Sequence, residues 1–114
     1  MRWALCFAAL VGCATAMGES VRTDFATRVQ TAQPAIAQCY QAALTQRPTA
    51  RGMFVVAFEA APSTGQFVGF VVQRDDIRDP TMGQCVLDAL AQLHLAAPLT
   101  TRTTTSLPIR FAPQ

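Results

Sequence analysis

The sequence predicts one small α+β domain: two helices packed on a small antiparallel three-stranded sheet, in the order α-β-β-α-β. Three observations predict it. Gly52 to Ala60 and Phe67 to Arg74 are apolar, partly alternating runs joined by a short turn, the pattern of a hairpin. Two stretches with helical apolar spacing, each opened by a capping residue and a proline, flank that hairpin. A last alternating run, Leu107 to Phe111, follows the second helix. A length of 114 residues gives room for one such domain. With 51% apolar residues and a formal charge of +2 the chain is of the kind that folds around a core. That charge is too small and too scattered for a nucleic-acid footprint.

The first helix is expected to open at Thr31-Ala32-Gln33-Pro34, where Thr31 can cap and Pro34 fits the first turn. Ile36, Cys39, Tyr40, Ala43 and Leu44 continue it at 3.6-residue spacing, and Arg47-Pro48 ends it. The preceding stretch from Val21 to Val29 reads as an early strand or an extra helical turn. On the first strand Phe54, Val56, Phe58 and Ala60 are expected inward, with Glu59 opposite. Pro62-Ser63-Thr64-Gly65 is the turn. On the returning strand Val68, Phe70 and Val72 are expected inward. Phe67 and Val71 then lie on the other face and form a candidate partner surface.

Asp79 followed by Pro80 predicts the start of the second helix. Met82, Val86, Leu90 and Leu93 form its apolar stripe with Ala89 beside it, Cys85 lies next to that stripe, and Pro98 closes the region. In the third strand Leu107, Ile109 and Phe111 alternate. Pro108 has no amide proton, so its nitrogen should face solvent or a break in pairing.

Met1-Arg2-Trp3 places one positive charge before an apolar run that decays into small residues, the shape of a secretory signal. The uncharged run from Trp3 to Gly18 is 16 residues, short of the ~20 that a spanning helix requires. Leu10-Val11-Gly12-Cys13 resembles a bacterial lipobox, in which the Cys thiol takes a diacylglycerol. The chain then divides into a signal peptide over 1–12, a lipidated Cys13 with a short tether to residue 23, and a domain over 24–114. By the same resemblance, Ala14 after the Cys implies the outer membrane. Cleavage after Ala14-Thr15-Ala16, giving a soluble periplasmic protein, is the alternative.

Of the four cysteines, Cys6 leaves with the leader and Cys13 carries the lipid. Cys39 and Cys85 remain, and one pairing is open to them. An oxidising compartment favours that bond. Closing a loop of this length contributes about 4 kcal/mol, a large share of a total of about 5–15 kcal/mol. The alternatives are a redox-active thiol or a metal site. Neither Cys stands in a Cys-x-x-Cys arrangement, and His94 is the one histidine, whereas structural zinc takes four ligands.

No catalytic constellation is predicted, and no cofactor. His94 has Asp88 as its nearest acid in sequence, on another side of the expected helix, and reads as a helix-terminal histidine. A general base requires a positioned partner. Ser20, Ser63 and Ser106 stand in no nucleophile motif. Asp75, Asp76 and Asp79 lack the spaced oxygens of a calcium loop and read as a loop with a helix cap.

With the elements in order, Cys39-Tyr40 with Ala43-Leu44, then Gly52, Val56 and Phe58, then Gly65, Cys85-Val86 and Pro108-Ile109-Arg110-Phe111 resemble the AgmX/PglI C-terminal domain. That family is related to the TonB C-terminal domain. The resemblance covers about residues 29–112. It implies a two-helix, three-stranded periplasmic domain, fits a Cys39–Cys85 bridge, and implies a bacterial envelope location. The inner-membrane helix and Pro-rich spacer of TonB-type transducers have no counterpart in this sequence, so energy transduction is not implied. The expected function is a non-enzymatic, lipid-anchored module that binds an envelope protein. Structural self-association, as a homodimer, is the alternative, with a small enzyme third.

Overall fold

A computed structural model describes residues 4–7, 11–12 and 18–113. Cys13, the expected lipid attachment site, lies outside the described residues, as does most of the expected leader. The elements are β1 (Ala4–Phe7), β2 (Val11–Gly12), α1 (Glu19–Thr31), α2 (Gln33–Gln46), β3 (Gly52–Ala60), β4 (Phe67–Asp75), α3 (Pro80–Ala91) and β5 (Thr103–Ala112).

Alternation in β3 sets the architecture. Phe54, Val56, Phe58 and Ala60 are all buried, and β3 pairs antiparallel with β4 on one side and β5 on the other. Leu107, Ile109 and Phe111 of β5 are buried in the same layer. The helices close over that one face. Tyr40 of α2 meets Phe111 with ring centroids 4.9 Å apart, and Gly83 of α3 faces the Phe54 ring. The α+β fold class is as expected. Among the residues whose burial is described, the core runs from Phe25 to Phe111.

α1 is a three-turn helix, where the sequence left a strand or a single turn open. It starts at Glu19, inside the stretch expected to be tether. Phe25 is fully buried, and its ring lies 5.3 Å from Phe67 and 6.1 Å from Phe58. Val21, Phe25 and Val29 recur every fourth residue, a spacing that puts them on one face of a helix or of a strand, so periodicity could not separate the two. Asp24 decides the docking: its carboxylate accepts from the amides of Ala96 and Ala97 at 3.0 and 2.9 Å. Thr31 does not cap α2. Its hydroxyl donates back to the Arg28 carbonyl, ending α1, and α2 starts after the single residue Ala32 with no side-chain cap. The two helices run from the β3–β4 turn, where Phe25 packs, toward the Gly52 end, where Arg47 donates to the carbonyls of Ile77 and Arg78.

β4 departs from simple alternation. Glu59 pairs with Val68 and Ala57 with Val71, so Phe58 stands opposite both Gly69 and Phe70. This is a β-bulge, with Gly69 at φ +68° supplying the backbone that an L side chain rarely adopts. The extra residue moves Phe67 and Phe70 to one face, where both rings contact Phe58, at 4.8 and 5.5 Å. Phe67 is therefore core, 1% exposed, and not partner surface. Val68 is only half-buried, and Val72, expected inward, is 43% exposed.

α3 begins as expected, with Asp79 Oδ1 accepting from the Met82 amide at 3.1 Å. It ends at Ala91, earlier than the stripe suggested, so Leu93 and His94 lie beyond it, and His94 bridges to Gln66. The β1–β5 register is described from Ala112 to Ile109 and the β2–β5 register over Ser106 and Thr105; the residues that would face Pro108 lie outside the described ones. On its other side Pro108 stands opposite Val55 of β3.

Cys39 and Cys85 form a disulfide, with Cα atoms 5.7 Å apart across a separation of 46 residues. Replacing both by Ser is expected to lower unfolding free energy by about 2–5 kcal/mol, read by urea denaturation with and without reductant; an unchanged midpoint contradicts it. Phe25→Ala is expected to cost about 3–5 kcal/mol. A cost near zero in the same measurement would place α1 outside the core.

Candidate functional site: strand edges and an arginine-lined pocket

All three helices lie on one side, so the other face of the sheet carries half-buried Val55 and Ala57 with Val71 beside them. Val71 is 59% exposed, on the face to which its alternation assigned it. Its expected companion Phe67 is not there; Val72 pairs with buried Val56 on the helix-covered side and is 43% exposed on this edge strand.

The two sheet edges differ. β4 pairs with β3 alone. Its first residue is covered, because the Phe67 amide donates to the Leu93 carbonyl at 3.0 Å. β5 carries a second ladder on its outer edge. Ala4 pairs with Ala112, Leu5 with Phe111, Cys6 with Arg110 and Phe7 with Ile109. Val11 and Gly12 pair with Ser106 and Thr105. Two short strands thus lie antiparallel along β5, and both belong to the expected leader.

A pocket of about 420 Å³ opens at the Gly52 end, lined by Arg51, Gly52, Arg74, Asp76, Arg110 and Ala112 among others. Asp76 organises it. Arg74 binds its carboxylate in a two-pronged pair, Nε to Oδ1 at 2.9 Å and Nη2 to Oδ2 at 3.0 Å, and the Met53 amide donates to Oδ2 at 3.0 Å. These hydrogen bonds from Arg74 and Met53 hold the Asp76 carboxyl below its usual pKa. The same pair raises that of Arg74. Gly52 makes this approach possible: at φ +139° a Cβ there would come within 2.4 Å of the Asp76 Cβ. The side chains of Arg51 and Arg110 make neither a hydrogen bond nor an ion pair among the described residues.

The other two acids of this loop, Asp75 and Asp79, are committed to backbone. Asp75 Oδ1 accepts from the amides of Ile77 and Arg78 at 3.0 and 2.8 Å, shaping a turn in which Arg78 has φ +57°. Asp79 caps α3. These are the loop and cap roles read from the sequence. The sequence singled out this acid loop but missed the pocket, because Arg51, Arg74 and Arg110 come from three separate segments. Among the described residues, no helix is long and apolar enough to cross a membrane. Comparison with protein-family models, with curated proteins and with solved structures finds no match for this chain.

The Asp76 pair has a pH signature. A carboxyl with a lowered folded-state pKa stabilises fully above the ordinary aspartate range and ceases to do so as pH falls through the folded-state value. Asp76→Asn is therefore expected to lower the urea midpoint at pH 7 and to show a smaller decline into acid than the parent. Parallel pH profiles for the two chains would contradict this.

Proposed function

We propose that this chain is a non-enzymatic binding module of the bacterial cell envelope, TonB C-terminal-like and of the AgmX/PglI type, lipid-anchored through Cys13 at the periplasmic side of the outer membrane. It takes up an extended segment of an envelope protein along the outer edge of β5. The observation that carries the reading is the pairing of Ala4–Phe7 with Ile109 to Ala112 and of Val11–Gly12 with Thr105 and Ser106. On this reading those first residues leave with the signal peptide, and the β5 edge is then a row of unpaired amides and carbonyls. Such an edge is a template for another strand, and adding one is a recurring mode of peptide recognition.

A second reading, self-association, draws on Val71 and Val72, two exposed valines on the opposite edge strand. Sedimentation of the chain at micromolar concentration separates the two: a homodimer that Val71→Thr with Val72→Thr dissolves favours the second.

The chain beginning at Gly18 keeps every residue described as core, from Phe25 to Phe111, and is the species to test. A peptide of residues 4–12 with Cys6→Ser is expected to bind it saturably by calorimetry and to shift amide resonances from Thr105 to Ala112. Methylating the peptide amides that face β5 should abolish binding. Absence of binding by the parent peptide sinks the strand-acceptor reading. Mass spectrometry of the exported protein should show a lipid-modified Cys13 at its start; an unmodified start near Met17 would remove the anchor.

A further inference from the structure

The pocket at the Gly52 end has a charge imbalance that the fold itself does not use. It is lined by three arginines and one acid. Asp76 is fully engaged by Arg74 and the Met53 amide, so Arg74 is neutralised where it stands. Arg51 and Arg110 remain, without an anionic partner among the described residues. Guanidinium groups recognise planar oxyanions by paired hydrogen bonds. The pocket is also continuous with the β5 edge: Arg110 and Ala112 line it, and these residues pair with Cys6 and Ala4 in the N-terminal ladder. A segment in that register has its first residues at the pocket mouth.

We propose that the Arg51–Arg110 pocket binds a carboxylate side chain of a partner polypeptide, placed immediately before the segment that pairs with β5. This rests on the reading of β5 as a strand acceptor and adds a charge requirement to it. A lipid headgroup is the less fitting source of the anion. α1 starts at the β3–β4 turn and α2 ends toward Gly52, so the pocket lies at the end of the domain remote from the start of α1, which follows the anchor.

Two peptides test it on the chain beginning at Gly18: residues 4–12 with Cys6→Ser, preceded by Glu-Glu in one and Gln-Gln in the other. The Glu peptide is expected to bind about tenfold more tightly at low salt, with the difference shrinking as salt is raised. In the double variant Arg51→Ala with Arg110→Ala the two peptides should bind alike, with the affinity of the Gln peptide retained. Equal binding of both peptides to the parent overturns the carboxylate proposal and leaves the strand reading intact. Binding of neither overturns both. If the peptides tie while vesicles containing phosphatidylglycerol bind the parent and not the double variant, the anion is a lipid headgroup and the proposal falls.

Discussion

The Cys39–Cys85 bond fixes α2 against α3, and the inner layer is organised around that pair. The loop it closes contains the entire β3–β4 hairpin. Beside one sulfur, Tyr40 packs on Phe111 and donates its hydroxyl to the Ala50 carbonyl. On the other helix, Gly83 admits the Phe54 ring. The bond therefore ties together the two covers of the sheet, one over β5 and one over β3. α1 fills what remains, closing over Phe58 and Phe67. A core of this size sits close to the limit of what burial alone sustains, and a covalent link between its two covers is the kind of support small domains use.

That one-sidedness explains the rest of the surface. The strands β5, β3 and β4, covered on one face by three helices, leave the other face and two outer edges to be managed separately, with β1 and β2 lying along the β5 edge. The bulge at Gly69 manages the β4 edge by breaking its regularity, a device that discourages strand pairing. The β5 edge has no such device over Thr105 to Ala112 apart from Pro108, and there another strand is seated. The arginine pocket lies where that edge ends, so strand pairing and charge recognition can act on one segment.

Most of the fold was legible because it is written in short-range patterns. The inward row of β3 follows from alternation, the start of α3 from Asp79-Pro80, the row of β5 from Leu107, Ile109 and Phe111, and the disulfide from a count of thiols. What escaped depends on information that is not local. Val21, Phe25 and Val29 fit a helix and a strand equally, and the choice falls to Asp24 meeting two amides some seventy residues away. Gly69 inverts the faces of β4 around itself, so Phe67 was assigned outward while its ring lies in the core. Thr31 looked like the start of a helix and is the end of one. Of the candidate site, Val71 was readable from alternation, while the pocket was not, since its arginines converge only after the three strands align.

The disulfide is unevenly buried: Cys39 is 3% exposed, and Cys85 faces solvent at the rim of a groove. A thiolate arriving from outside reaches the bond from the Cys85 side, and attack on that sulfur expels Cys39 as the leaving group. The expelled thiolate would be released at a residue only 3% exposed, where its charge is poorly solvated. Exchange is then directional: a mixed disulfide forms on Cys85, while Cys39 stays beside it as the nucleophile that restores the bond.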